Sequence, residues 1–231
     1  MTIEELMQEA QWIKNDRNTA ADAFHRYLDL LLEWNQKMNL TAIKEPSEVV
    51  EKHFYDCLLP LSTGRITGAV CDVGSGAGFP SVVWKIADPS LDITIVEPTG
   101  KRCTFLEEVI RQLHLTGIHV VNQRAEEHVK ECRERYDVVT ARAVASLPVL
   151  AELCIPLVRK DGLFAAMKGA KGTEEAHQAE HAMQVLGAKI ENVQECTLHT
   201  GDVRINLYYR KHARTPVQYP RNYAQIKKKP L

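Results

Sequence analysis

The stretch Ala69-Val-Cys-Asp-Val-Gly-Ser-Gly-Ala-Gly-Phe-Pro80 decides the fold. A short run of strand-forming residues leads into three glycines at alternate positions, and the apolar segment 82–87 follows. This order predicts a strand, a tight turn and a helix. Because glycine lets the backbone approach a ligand closely and a helix start presents free N–H groups, the loop is expected to hold a nucleotide-like molecule.

The glycine spacing separates two classes of nucleotide-binding loop. The dinucleotide fingerprint G-x-G-x-x-G would require glycine at position 79, where this chain has Phe79. The observed pattern is Gly74-x-Gly76-x-Gly78 behind Asp72. We therefore predict a loop for S-adenosylmethionine (SAM), and a NAD-dependent enzyme is the less favoured alternative.

Beyond this loop the chain alternates between strand and helix patterns, which predicts a largely parallel sheet with helices on both faces. Strands are predicted at 69–73, 91–97, 118–122, 136–140, 161–167, 190–198 and 203–210. The last two are close enough in sequence to form a hairpin. This layout indicates an α/β class I SAM-dependent methyltransferase, Rossmann-like, with a seven-stranded mostly parallel sheet and one antiparallel edge strand.

The first part of the chain is predicted to be helical, because apolar side chains between residues 19 and 37 recur at helical spacing and form one stripe. We divide the chain into an N-terminal helical cap (1–62), a SAM-dependent methyltransferase domain (63–212) and a basic C-terminal tail (213–231). A later helix of the cap carries His53 and Asp56. We interpret them as turn and surface residues in preference to catalytic ones.

Composition and charge restrict the setting in which the protein works. The longest apolar runs fall well short of the ~20 residues of a membrane span, and the N-terminus lacks the pattern of a signal peptide. We therefore expect a cytoplasmic protein. The six cysteines show no C-x-x-C spacing, so neither disulfides nor structural zinc are expected. Although the net charge is −1, the segment from Arg210 onward has seven Lys or Arg and no acid, which favours a polyanionic partner.

The carboxyl ends of the strands are where ligands bind in open α/β sheets. The candidate cofactor-binding residues of the first loop are Gly74, Gly76, Gly78 and Phe79. Glu97 ends the second strand, where its carboxylate can accept hydrogen bonds from both ribose hydroxyls. After the third strand, Ala125 and Glu126 are candidates for the adenine edge, with helix capping as the alternative role of Glu126.

Basic residues follow the next strands. Arg142 is placed to contact the cofactor or the substrate, in preference to a simple ion pair with Glu97 or Asp72. The fifth strand brings Lys168 to the same rim. For guanine or phosphate contacts the candidates are Arg124, Arg142 and Lys168.

Together these motifs resemble the RsmG (GidB) family. The resemblance spans roughly the whole chain and rests on Asn39-Leu-Thr-Ala-Ile43, His53-x-x-Asp56, Asp72 to Pro80, Lys101-Arg102, Ala125-Glu126, Ala141-Arg142-Ala143, Lys168-Gly169 and Tyr219-Pro-Arg221. It implies transfer of a methyl group from SAM to ring nitrogen 7 of a guanine in bacterial 16S ribosomal RNA. The SAM-binding positions that it implies are Gly74, Phe79, Ala125, Glu126 and Arg142.

The chain departs from the family pattern at three places. Cys57 replaces a serine, Ser81 replaces a glycine after Phe-Pro, and residues 222–226 replace a stretch that contains Gly and Pro. The first two lie beside the predicted site. The third leaves the conformation of the tail open.

The expected chemistry needs no general base, because ring nitrogen 7 carries a free lone pair and no proton. We therefore assign Arg142 at most a positioning role. The tail combines tyrosines with basic residues, and its candidate RNA-binding residues are Arg221, Lys227, Lys228 and Lys229. A merely solvated end is the alternative for the three lysines. On this basis, removal of 214–231 should weaken RNA binding and spare SAM affinity.

Other functions stay open at this point. A SAM-dependent methyltransferase of another RNA, a protein or a small molecule would share the loop, and a non-catalytic RNA-binding protein could retain the fold. His177-Gln-Ala-Glu-His181 fits the H-x-x-E-H pattern of some zinc peptidases, but the chain offers no convincing third ligand. We expect a monomer without metal that acts on 16S ribosomal RNA or the small ribosomal subunit.

Overall fold

A computed structural model describes all residues, 1–231, and contains one seven-stranded sheet of order β3-β2-β1-β4-β5-β7-β6. Its strands are β1 (Ala69–Val73), β2 (Asp92–Val96), β3 (Ile118–Val121), β4 (Tyr136–Arg142), β5 (Val158–Gly169), β6 (Ala188–Thr197) and β7 (Val203–Lys211). Every predicted strand is present. β5 begins before its predicted start because its pairing with β4 is interrupted by a bulge, where Asp161 has φ +63°.

Strands β1 to β5 are parallel, whereas β7 pairs antiparallel with both β5 and β6. The predicted fold class is confirmed, with the refinement that the antiparallel strand β7 lies one place in from the edge and β6 forms the edge. The strand order reverses between β1 and β4. In an open sheet of this kind, the ligand crevice lies at the carboxyl ends of the strands that flank this reversal.

Helices cover both faces of the sheet. The regular ones are α1 (Ile3–Glu9), α2 (Arg17–Met38), α3 (Pro46–Val49), α4 (Asp56–Leu58), α5 (Ser81–Ala87), α6 (Gly100–Gln112), α7 (Ala125–Cys132), α8 (Leu147–Cys154), α9 (Gly172–Gln178), α10 (Glu180–Leu186) and α11 (Tyr223–Lys228). A π-helical turn, Val50–Tyr55, joins α3 to α4, and a 3-10 turn, Leu59–Thr63, follows α4.

The N-terminal helices share one hydrophobic core with the sheet. The apolar stripe of α2 supplies Phe24, Tyr27 and Leu31, all fully buried, to a cluster that also contains Val70 of β1 and Trp84 of α5. Trp84 Nε1 donates to the carbonyl of Cys57 at 2.6 Å. Because the cap and the sheet share this core, the packing does not mark a boundary between them. The predicted division into cap, domain and tail therefore stays a prediction.

Gly78 is the point where the glycine loop meets the N-terminal helices. Its φ is +102°, and a Cβ there would lie 2.7 Å from both Tyr27 Oη and Val82 Cγ2. Substitution Gly78→Ala is therefore expected to lower the free energy of unfolding by roughly 2–5 kcal/mol, through backbone strain and overpacking. The measurement is urea unfolding at equilibrium.

Gly76→Ala is the matched control, since Gly76 also has positive φ but a Cβ there would have no atom within 4 Å. This variant should lose only about 1–2 kcal/mol, the cost of left-handed backbone. Equal losses in the two variants would show that packing against Tyr27 does not constrain the loop.

Candidate active site

The glycine loop is held in shape by its own backbone and by the neighbouring strand. Gly74 N–H donates to the Val96 carbonyl of β2 at 2.8 Å, and Gly76 N–H donates to Glu97 Oε2 at 3.0 Å. The N–H groups of Gly78 and Phe79 both donate to the Ser75 carbonyl at 3.0 Å. The loop therefore curls over the ends of β1 and β2, where the fold predicts a ligand.

A cavity of about 290 Å³ opens beside this loop, and we call it the cofactor cavity. Four of the predicted cofactor-binding residues line it, namely Gly74, Glu97, Ala125 and Glu126. It is also lined by Val73, Val96, Pro98, Thr99, Arg102, Arg124, Ala143, Val144, Leu153 and Tyr223. The sequence thus predicted the residues of three strand ends that the fold brings together here.

The remaining predicted cofactor residues lie elsewhere. Gly78 and Phe79 face the N-terminal helices, and Gly76 adjoins the cavity only through its hydrogen bond to Glu97. Arg142 lines a different cavity, described below. Cofactor contact by these four residues stays a prediction.

Glu97 is a buried carboxylate whose oxygens are both held by backbone donors. Oε2 accepts from Gly76 and Oε1 accepts from Thr99 N–H at 2.9 Å, with only 1% of the residue exposed. Each oxygen retains a lone pair for a further donor. A pair of neighbouring hydroxyl groups fits this arrangement.

The buried Asp72 of β1 is hydrogen-bonded to Ser81 at the start of α5. Burial raises its pKa to about 7, although hydrogen bonds from Ser81 and Ser75 act in the opposite direction. The Ser81 hydroxyl donates directly to Asp72 Oδ2 and lies 3.0 Å from Ser75 Oγ. Ser81, one of the departures from the family pattern, therefore gives a buried carboxyl group a partner that glycine could not supply.

Arg142 stands at the end of β4 and contacts the cap. Its Nη2 lies 2.7 Å from the Lys52 carbonyl, 2.9 Å from Asp56 Oδ2 and 3.2 Å from His53 Nδ1. The ion pair considered from sequence with Glu97 or Asp72 is absent, and Asp56 is the partner. The interpretation of Asp56 as a surface residue is wrong, because only 2% of it is exposed.

His53 extends this contact toward the loop. Its ring stacks on Phe79 with centroids 4.5 Å apart, and Nε2 lies 2.8 Å from Thr41 Oγ1. Burial and the adjacent Arg142 charge lower the pKa of His53 to about 3. His53 lies in the π-helical turn, and such turns occur often at functional sites.

The neutral state of His53 predicts a pH dependence of stability. The unfolded chain takes up a proton near the ordinary pKa of 6.5, whereas the folded chain does so only near pH 3. The contribution of His53 to stability should therefore fall on acidification. Between pH 7 and pH 5, wild type should lose about 2 kcal/mol more than His53→Gln. Parallel pH profiles of urea unfolding in the two proteins would contradict a half-buried His53 that stays neutral in the folded protein.

A second cavity of about 460 Å³ adjoins the first, and we call it the neighbouring cavity. It is lined by Asp56, Arg142, Ala143, Val144, Ala145, Met167, Lys168, Gly169, Glu175 and Arg204. The segment Ala143-Val144 lines both cavities. The two cavities are therefore neighbours along this segment, which directly follows β4.

The neighbouring cavity contains one functional candidate that sequence reasoning missed. Arg204 of β7 has its Nε 3.2 Å from Asp56 Oδ2, so Asp56 is shared by two guanidinium groups. Lys168 Nζ donates to the Ala145 carbonyl at 2.7 Å and pairs with Glu175 at 2.8 Å. The sequence around Arg204 contains no motif that indicates a functional residue. Its position depends on the pairing of β7 with β5.

The other predicted RNA-binding residues lie on or near the tail. The Arg124 guanidinium lies 5.8 Å from the Tyr223 ring centroid, and Arg221 is paired with the buried Glu152. The side chains of Lys227, Lys228 and Lys229 are exposed. These six residues do not form one patch: Lys168 belongs to the neighbouring cavity, and the rest surround α11.

The H-x-x-E-H sequence is divided between two helices. His177 lies on α9 and His181 on α10, with the break at Ala179. No cluster of three or more His, Cys, Asp or Glu side chains suited to a metal ion occurs in the chain. Likewise, no helix combines the length and the apolar character that a membrane span requires.

Solved structures resemble the sheet and its helices. A 16S rRNA (adenine(1408)-N(1))-methyltransferase variant from Catenulisporales acidiphilia superposes with a TM-score of 0.54, at 14% identity over 66% of this chain and 89% of that one. The YcgJ protein of Bacillus subtilis gives 0.53, at 12% identity over 70% and 100%. At such identities the likeness concerns the fold alone.

Sequence relatives are much closer. A sequence model described as rRNA small subunit methyltransferase G (GidB) matches residues 20–204. The ribosomal RNA small subunit methyltransferase G of Lactobacillus johnsonii is 45% identical over 215 residues, which cover 90% of each chain. The protein of that name from Listeria monocytogenes is 43% identical over 219 residues, 93% of this chain and 92% of the relative. The chain therefore belongs to the rRNA small subunit methyltransferase G family.

Proposed function

We propose that this protein transfers a methyl group from SAM to ring nitrogen 7 of a guanine in 16S ribosomal RNA. The observation that carries the proposal is the junction of two cavities at Ala143-Val144, beside the reversal of strand order. One cavity has the carboxylate and glycine backbone suited to a nucleoside. The other has cationic walls suited to a nucleotide of RNA.

The cofactor cavity fits SAM through residues of three strand ends. Glu97 retains lone pairs for the ribose hydroxyls, and Ala125 and Glu126 lie at the start of α7, where an adenine edge can be met. Gly74 has no side chain, which lets Val144 of the cavity wall pack against it, since a Cβ there would lie 2.7 Å from Val144 Cγ2. When bound, SAM would supply a methyl group on a sulfonium: a nitrogen lone pair would bond to the methyl carbon while the carbon–sulfur bond breaks, and a neutral thioether would leave without any proton having to be removed.

The neighbouring cavity would receive the guanine. Lys168 and Arg204 can donate to guanine O6 or to a phosphate, and Arg142 is held by Lys52 and Asp56 at the junction. Because no proton has to be removed, the protein accelerates the transfer by positioning. The ion pairs of Asp56 and Glu175 fix the cations before RNA arrives.

The location and the partner follow from this substrate. A ribosomal RNA substrate places the enzyme in the cytoplasm, where small ribosomal subunits are assembled. The exposed Lys227, Lys228 and Lys229 can contact the phosphate backbone outside the cavity. We propose that the protein acts as a monomer.

The test is methyl transfer by the purified protein. The protein is incubated with SAM that carries a deuterated methyl group and with one of three substrates. These are small ribosomal subunits, protein-free 16S RNA and, as the control, transfer RNA. Mass spectrometry of nucleosides should find labelled 7-methylguanosine in at least one of the first two and none in the third. Label on another nucleoside, or on protein, would support the alternative of a SAM-dependent methyltransferase with a different target.

A further inference from the structure

The C-terminal tail, expected from sequence to serve RNA alone, reaches into the cofactor cavity. Tyr223, the first residue of α11, lines this cavity together with Gly74, Glu97 and Ala125. It belongs to the stretch 222–226 in which the chain departs from the family pattern. The tail is therefore part of the wall around the small-molecule ligand.

Tyr223 is held in place on both sides along the chain. Before it, Arg221 donates from Nε to Glu152 Oε1 at 2.8 Å, and its backbone N–H donates to the same oxygen at 2.8 Å. Glu152 is fully buried on α8, next to Leu153 of the cavity wall. The Asn222 side chain caps α11 by accepting from Gln225 N–H.

After Tyr223, Ile226 is fully buried in the core that covers this face of the sheet. Burial of such a side chain contributes roughly 1.5–3 kcal/mol, which suits a docked helix rather than a loose end. Anchors on both sides of the tyrosine therefore hold the backbone of Tyr223 beside the cavity.

The position of the ring along the cavity indicates which part of the ligand it meets. The Arg124 guanidinium lies 5.8 Å from the Tyr223 centroid, and Arg124 directly precedes Ala125 and Glu126 at the start of α7. Tyr223 therefore stands beside the start of α7, where the proposed function places adenine.

We propose that Tyr223 is a cofactor-binding residue whose ring packs against the adenine of SAM, held for this purpose by the Arg221–Glu152 pair. This inference rests on the proposed function. Aromatic side chains stack favourably on nucleic-acid bases, and their removal weakens binding substantially. Residues past 212 then contribute to SAM affinity, contrary to the expectation that the tail can be removed without affecting it.

The test compares variants of the full chain by isothermal calorimetry with SAM and with adenosine. Tyr223→Ala should raise the Kd for both ligands about tenfold or more, whereas Tyr223→Phe should stay within about twofold because the ring remains. Gln225→Ala is the matched control, an exposed residue of the same helix, and should bind as wild type does. Arg221→Ala should weaken binding less than Tyr223→Ala, because it acts only by positioning.

The outcomes separate this inference from the proposed function. If wild type binds SAM and Tyr223→Ala binds it equally well, with an unchanged melting temperature, the role of Tyr223 is overturned. If Tyr223→Ala weakens SAM but not adenosine, the ring meets another part of the cofactor and the adenine assignment is overturned. If wild type itself does not bind SAM, the proposed function fails first.

Discussion

Substitution Gly74→Asp is expected to abolish SAM binding. Gly74 has φ +75°, and a Cβ there would lie 2.7 Å from Val144 Cγ2, so any side chain displaces that of Val144, which lines both cavities. The new carboxylate would also stand on the cavity wall that holds the buried Glu97. Strain, steric conflict and like charge act together, and we expect the Kd for SAM to rise at least about 100-fold, which corresponds to roughly 3 kcal/mol.

Gly201→Asp is the control for this prediction. Gly201 lies in the turn between β6 and β7 with φ +84°, and a Cβ there meets no atom within 4 Å. The control thus introduces the same residue at a similar backbone conformation, away from both cavities. Calorimetry should show wild-type affinity for Gly201→Asp. Wild-type affinity for Gly74→Asp as well would remove the glycine loop from the cofactor site.

The second large effect is expected from Arg142→Ala. This guanidinium joins β4 to the cap through Lys52, His53 and Asp56, and it lines the cavity proposed for guanine. Its loss should slow single-turnover methylation of the RNA about 100-fold or more, equivalent to roughly 3 kcal/mol of transition-state stabilisation. SAM affinity should change much less, because Arg142 does not line the cofactor cavity.

The Arg142→Ala variant could also lose activity because it is less stable, and a double variant tests this explanation. Removing Arg142 leaves the buried Asp56 with Arg204 as its remaining ion-pair partner, which is destabilising. The double variant Asp56→Asn with Arg142→Ala should recover stability, and the methylation rate should stay low. Recovery of the rate together with stability would show that Arg142 serves only the fold. Arg111→Ala, on the exposed face of α6, is the control for loss of an arginine.

The fold could be predicted because its signals are local. Glycines at alternate positions after a short strand require positive φ, and all three glycines of the loop have it. Strand and helix periods alternate from residue 69 onward, so the sheet and the residues at its carboxyl edge followed from the pattern. Glu97 and Ala125 reached the cofactor cavity for this reason.

What could not be predicted depends on contacts between distant parts of the chain. His53 and Arg142 are 89 residues apart in sequence. Their contact involves a π-helical turn, which the sequence pattern does not predict. Arg204 reaches Asp56 only because β7 inserts beside β5. Tyr223 lies in a polar, basic tail, and its burial against the cavity depends on the distant Glu152, which anchors Arg221.

The most direct test of the central claim is to map modified nucleosides in 16S ribosomal RNA from cells with and without the gene. Deletion should remove 7-methylguanosine from one position of the RNA, a plasmid copy of wild type should restore it, and a copy with Gly74→Asp should not. Quantitative mass spectrometry of RNA fragments gives the occupancy of that position. Full 7-methylguanosine content in the deletion strain would contradict the proposed activity.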